Sequence, residues 1–359
     1  MSRRFVALAL LAFTSAAHGA EPKPLWSIEV KADHVEDVRV YWLGFTPDGT
    51  SLIARSGTRA IGLVGVWDTE TRKLQRQLKC DSCADLTQRG TRDAILPDGK
   101  VLLRGFSARE LTPDKGTDRA ALPPRGKVAY GVWHCPGTKQ VVWALSNGDE
   151  ELENRGNEIV IVPAGATAET LRNKPVPLSE IKATVGAIAV SADASRVAFC
   201  APVYDEQFIT LRALTLGENL TLPEVARVPT GHRGVIAHLE FSPNGKTIAT
   251  GSADSAVFLW DVEKAGKDWK PRAELACGKY RVRAQVFHPD GRTLYALTGD
   301  KKGSPNLFVI DVASGKLVAK HALGGQVLCA AFTADSKALV TGDFEGRIAA
   351  WDAEALRKP

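Results

Sequence analysis

Apolar residues along this chain come in short runs separated by turn residues, as the stretch FSPNGKTIATGSADSAVFLWD from Phe241 to Asp261 shows. No 3.6-residue period is present in it, so the stretch predicts strands rather than a helix. FSPNG reads as a strand end followed by a tight turn. Proline presets φ, asparagine tolerates the next position, and glycine takes the left-handed conformation. KTIATGS is then a second strand, ADS a short connection and AVFLWD a third.

The phrase recurs along the chain. FTPDG occupies Phe45–Gly49, LPDG Leu96–Gly99 and FHPDG Phe287–Gly291, with weaker copies HCPGT at His134–Thr138, VSADA at Val190–Ala194 and FTADS at Phe332–Ser336. Aligned on the Pro or Ala, the copies stand at 47, 97, 136, 192, 243, 289 and 334. Most are followed by two strands, the second ending in a marker such as GVWD at Asp68, FLWD at Asp261, FVID at Asp311 or AAWD at Asp352. RKLQRQL (Arg72–Leu78) and GKLVAKHAL (Gly315–Leu323) then read as fourth strands. Seven four-stranded units account for the chain.

A period near forty-five residues with a Trp-Asp ending resembles the WD-repeat (WD40) β-propeller family. The resemblance covers residues from about 25 to 359 and is fullest in the fifth copy, where Gly231-His232, Ser252, Asp254 and Trp260-Asp261 match. It implies an all-β fold, a single seven-bladed propeller. It also implies that His232, Ser252, Asp254 and Trp260 form a buried chain from indole N–H through a hydroxyl and an imidazole to the turn carboxylate. The seventh copy carries Glu345 and the first Ile61 at the turn-Asp position, so those blades are expected to rely on packing alone. The last copy stops after RIAAWD, one strand short, and PLWSIEV (Pro24–Val30) is strand-like. This N-terminal strand is expected to complete the last blade and close the ring, removing an exposed edge.

Residues 1–20, MSRRFVALALLAFTSAAHGA, have two arginines, a short apolar run and small residues before EPKP. They read as a secretory signal peptide, with cleavage after Ala17, Gly19 or Ala20. The propeller is then residues 21–359 of an exported protein, periplasmic or extracellular. No later stretch is long and apolar enough to span a membrane. Net charge is +5 with no run of five or six like charges, which argues against a nucleic-acid arm.

His232, Ser252 and Asp254 are hydrolase residue types, but no Gly-x-Ser-x-Gly precedes Ser252, and the structural reading is preferred. Cys80 and Cys83 form a CDSC motif without the next-residue His of haem attachment or a second ligand pair for zinc; a local disulfide fits an oxidising compartment. Cys135, Cys200, Cys277 and Cys329 fall in different units and are expected to pack as small apolar groups. The loop SNGDEELENRGNE carries Asp149, Glu150, Glu151 and Glu153, APVYDEQ carries Tyr204 and Asp205, and GDKKGSPN carries Lys301 and Lys302. In WD-repeat propellers these connections open on one rim, which would be acidic on one side and basic on the other.

His238, Glu240, His134 and His288 lie on or at the ends of innermost strands. The expected function is a non-catalytic scaffold that holds a protein or peptide on this rim, a monomer with no cofactor and no metal. The alternative is a propeller enzyme, of lactone hydrolase or quinone-cofactor dehydrogenase type, with chemistry at the channel mouth. A third reading is a small-ligand or metal sensor using the acidic loop.

Overall fold

The computed structural model describes residues 22–31, 37–58, 62–80, 93–96, 98–103, 109–112, 117–120, 127–135, 138, 140–147, 157–163, 176–177, 187–203, 206–214, 222–299 and 306–359. They form antiparallel strands with one short α-helix. The strands are β1 (Trp26–Glu29); β2 (Arg39–Phe45), β3 (Ser51–Gly57), β4 (Gly62–Asp68) and β5 (Leu74–Cys80); then β6 (Ala94–Ile95), β7 (Val101–Leu103), β8 (Arg109–Thr112) and β9 (Thr117–Ala120). Next come β10 (Lys127–Cys135), β11 (Gln140–Asn147), β12 (Asn157–Pro163), β13 (Val176–Pro177), β14 (Ala187–Val190), β15 (Arg196–Val203), β16 (Glu206–Ala213) and β17 (Glu224–Pro229). They continue with β18 (Ile236–Phe241), β19 (Thr247–Ser252), β20 (Ala256–Asp261), β21 (Ala273–Ala276), β22 (Val282–Phe287), β23 (Thr293–Thr298), β24 (Asn306–Asp311) and β25 (Lys316–Ala322). The chain ends with β26 (Val327–Phe332), β27 (Ala338–Asp343), β28 (Arg347–Asp352) and α1 (Ala353–Leu356).

Among the described residues these strands make seven four-stranded sheets, six of consecutive strands and one ordered β1-β28-β27-β26. Trp26 pairs with Ala350 and Glu29 with Arg347, so the N-terminal strand lies outermost in the last sheet. Arg72 sits over the Trp26 ring at 5.7 Å and ties β1 to the first sheet's outer turn. After AAWD the chain makes α1, which the sequence reading lacked. Its N-terminus is capped by Asp352, whose carboxylate accepts from Ala355 N.

The recurrent turn owes its persistence to a local hydrogen-bond set. Ser242 Oγ donates to Asn244 Oδ1 at 2.8 Å, and Asn244 Oδ1 accepts from Lys246 N at 3.0 Å. Thr247 N returns to Ser242 Oγ at 3.0 Å. Thr46 with Asp48, Ser191 with Asp193 and Thr333 with Asp335 repeat it. Gly49, Gly99, Gly245 and Gly291 have φ near +70° to +78°; where the weaker copies lack glycine, Ala194 and Ser336 take φ +53° and +63°. The aspartate of the Trp-Asp marker does comparable work one turn later. Asp68 Oδ1 accepts from Thr71 N at 2.6 Å and Asp311 Oδ1 from Ser314 N at 2.7 Å. Those bonds hold both carboxyls below the usual carboxylate range.

Sheet packs on sheet through apolar clusters. One joins Ile53 and Val64 of the first sheet to Val101 of the second, and others bridge the third and fourth, fourth and fifth, fifth and sixth, and sixth and last sheets. Another sets Val40, Leu43, Leu52 and Trp67 of the first sheet against Cys329, Val340 and Ile348 of the last. Close approach needs a small residue on the second strand. A Cβ on Gly251 would stand 2.8 Å from Val282, and one on Gly342 would stand 2.5 Å from Val40. In the first sheet the register puts Arg55 at this place, opposite Trp42 as Gly251 is opposite His238. Its guanidinium, almost fully buried, meets both oxygens of Asp93 at 3.1 Å, just ahead of the second sheet.

Candidate functional site

The fifth sheet builds a polar chain inside its core. Trp260 Nε1 donates to Thr250 Oγ1 at 3.2 Å, His232 Nε2 lies 2.9 Å from the same hydroxyl, and His232 Nδ1 lies 3.0 Å from Asp254 Oδ2. An indole N–H only donates and a carboxylate only accepts, so Trp260 gives to Thr250 and the imidazole carries a proton on Nδ1 toward Asp254. With the imidazole neutral, Thr250 gives its proton to Nε2. The ring stacks on Phe258 at a centroid distance of 3.8 Å. Burial pushes the Asp254 carboxyl up, but the His232 bond and the backbone N–H of Arg233 and Ala256 outweigh it and leave it at about 2.

The hydroxyl in this chain is therefore that of Thr250, and the expected role of Ser252 is corrected. Ser252 Oγ donates to Gly234 O at 2.9 Å and accepts from Asp254 N at 3.2 Å, fastening the connection that presents Asp254. The imidazole faces Thr250, so the geometry holds no Ser252–His232 pair of the kind a hydrolase needs. Thr250 was legible in principle: it lies two residues before Ser252 on β19, on the same face as Ile248, the residue paired with Trp260. The last sheet repeats half of the device. Trp351 Nε1 donates to Thr341 Oγ1 at 2.9 Å, so that sheet does not rely on packing alone. Leu323, fully buried, stands where the register places His232.

The first strands of the seven sheets together line one cavity of about 940 Å³. Five of those strands carry a β-bulge at the same place, after Val40, Ala129, Ile236, Val282 and Val327. A bulge leaves one residue outside the ladder and re-aims it. Tyr41, Ala237, Arg283 and Leu328 are such residues, and each lines the cavity. His134, His238 and Glu240 also line it. His134 Nε2 is buried without a hydrogen-bond partner among the described residues, and burial lowers its pKa. His288 goes elsewhere: its Nε2 bonds Ser336 O at 3.1 Å and its Nδ1 lies 2.9 Å from Asp290.

Of the remaining sequence candidates, Asp149, Glu150, Glu151, Glu153, Tyr204, Asp205, Lys301, Lys302 and Cys83, together with residues 1–20, lie outside the described residues. Cys135, Cys200, Cys277 and Cys329 are buried; burial raises the Cys200 and Cys329 thiols and pushes Cys277 up to about 12. Among the described residues no group of three or more His, Cys, Asp or Glu side chains gathers as metal ligands, and no helix is long and apolar enough to cross a membrane.

Against this geometry, residues 224–261 match the family model "WD domain, G-beta repeat". The chain is 34% identical over 112 residues to the WD repeat-containing protein 26 homolog of Drosophila melanogaster, covering 30% of this chain and 18% of that protein. It is 37% identical over 90 residues to eukaryotic translation initiation factor 3 subunit I of Neosartorya fischeri, covering 24% of each. These matches span no more than about a quarter of either relative. In shape, the chain is similar to the β-propeller domain of Myceliophteria thermophila Cps50 (Swd1), with a TM-score of 0.63 at 14% identity, over 92% of this chain and 99% of that one. The repeat match, the relatives and the shared shape support a WD-repeat propeller family for this chain.

Proposed function

We propose that the chain is an exported seven-bladed propeller, closed by β1, that holds a protein or peptide partner on the loops at one end of its cavity. The observation that carries this reading is the cavity lined by the first strand of each sheet among the described residues, with the strand ends that flank the second-to-third-strand connections at one of its ends. The register supports that placement: Arg39 at the start of β2 pairs with Gly57, which pairs across the next connection with Gly62. In the sixth sheet Val282 pairs with Thr298 and Thr298 with Asn306, on either side of residues 299–305. In the third, Ser146 pairs with Asn157 across the acidic connection.

Ring closure is supported by the packing of the first sheet on the last and by the place of β1 at the last sheet's outer edge. The leader-like composition of residues 1–20 supports export. Loops on a rigid scaffold suit recognition, because their sequence changes without disturbing the core. Affinity capture with residues 21–359 from an extracellular or periplasmic fraction tests the reading. A reproducible protein partner is expected. It is lost when Asp149→Asn, Glu150→Gln, Glu151→Gln and Glu153→Gln are combined; capture unchanged by them would remove the rim from the account.

A further inference from the structure

We infer that the turn end of the cavity binds a small neutral molecule with an aromatic body and one hydroxyl, a simple phenol, between a collar of apolar side chains and His134. This goes beyond the proposed function. The collar lies at the opposite end of the first strands from the second-to-third-strand connections, so it stands or falls apart from the rim. Register defines it. Phe45 pairs across its turn with Leu52, Phe241 with Ile248, Phe287 with Leu294 and Phe332 with Leu339. Ile95 and Val190 hold the same place in the second and fourth sheets. His134 pairs with Val141 in the third, so one sheet presents an imidazole where the other six present an apolar side chain. All seven positions line the cavity.

Contacts between neighbouring turns bring these positions together. A Cβ on Gly49 would stand 3.1 Å from that of Ala334, and one on Gly99 would stand 3.9 Å from Thr46, so the first turn touches both the last and the second. One on Gly291 would stand 3.8 Å from Pro243, and His288 Nε2 meets Ser336 O at 3.1 Å, which join the sixth turn to the fifth and to the last. Phe241 packs with Ala189 of the fourth sheet. Trp133 and Cys135, on either side of His134, share a cluster with Val190. The wall is formed in advance, as small-molecule sites usually are. Asp48, Asp193 and Asp335 are each bonded within their own turns. Ala192, Pro243 and Pro289 are exposed and also line the cavity, which makes them its lip.

The chemistry of the level selects the ligand. None of the seven positions carries a charged side chain, so a charged ligand would be buried there without a counter-charge from the collar. Burial lowers the His134 pKa, which leaves the imidazole uncharged at neutral pH. Its Nε2 has no hydrogen-bond partner among the described residues, and a bond to that nitrogen removes the cost of leaving it unmet. A hydroxyl both donates and accepts, so it satisfies either tautomer. An aromatic body suits the four phenylalanine rings.

Isothermal titration calorimetry on residues 21–359 tests this with p-cresol as the probe, and with toluene and the p-toluate anion as comparisons. p-Cresol is expected to bind and p-toluate is not. Ala192→Trp fills the lip and is expected to weaken p-cresol roughly tenfold or more. Ala192 is exposed, so this variant keeps its fold, and an unchanged melting temperature verifies that. His134→Phe is expected to lower the ratio of p-cresol to toluene affinity roughly tenfold. Arg281→Glu, an exposed position at the other end of its strand, is expected to change nothing. No binding of p-cresol, equal binding of p-toluate, indifference to Ala192→Trp, a ratio unmoved by His134→Phe, or a loss on Arg281→Glu would each overturn the inference.

Discussion

Asp343 occupies the register position that Ser252 holds in the fifth sheet, and the exchange of hydroxyl for carboxylate has a consequence for pH. Its Oδ1 accepts from Glu345 N at 3.0 Å and Arg347 N at 2.7 Å, so the group is needed as an acceptor. Burial raises its pKa to about 6, the Arg347 N–H opposing and the Glu345 charge adding to the shift. The folded state thus holds this proton more tightly than the unfolded chain. Stability from this group is full below about pH 4, falls as pH rises through about 6, and is level above that. Asp343→Asn keeps the acceptor and removes the charge. It is expected to flatten the decline and to raise stability at neutral pH by on the order of 2 kcal/mol once solvent screening is allowed for. Urea titrations of both proteins across the range check it. Sequence reading reached His232, Asp254 and Trp260 but assigned the hydroxyl to Ser252. The side chains that meet inside a sheet depend on register, which a single strand does not reveal.

At the scale of elements, the turn phrase and the Trp-Asp ending were readable because each is local. The Ser242–Asn244 hydrogen bonds span two to five residues, and the Asp68 and Asp311 bonds span three. The contacts between sheets were not readable in the same way. Arg55 and Asp93 are 38 positions apart, in different units, and nothing in the flanking sequence pairs them. Where the fifth and last sheets use Gly251 and Gly342 to let a neighbour approach, the first sheet fills the space with a buried ion pair. Removing one partner of such a pair leaves a charge stranded in a low-dielectric core. Asp93→Asn is expected to destabilise the protein by about 3–5 kcal/mol, read as a lower urea midpoint at unchanged slope.

For the whole molecule, β1 matters beyond its four residues. Its ladder with β28 joins positions over three hundred residues apart and covers an edge that would otherwise present unpaired N–H and C=O groups. A chain beginning at Lys31 is expected to melt at lower temperature and to self-associate, with size-exclusion chromatography showing species larger than the full-length protein; a monomer of unchanged melting temperature would contradict the role of β1. The sequence by itself determined the repeated strand-and-turn unit, because its signals are carried by residues within hydrogen-bonding reach along the chain. Only the tertiary structure decided that Thr250 rather than Ser252 meets His232, that Arg55 finds Asp93, and that bulged Tyr41 and Arg283 reach one cavity. Those outcomes depend on strand register and on which sheet lies beside which, and both are set by burial summed over the whole chain rather than by any local run of residues.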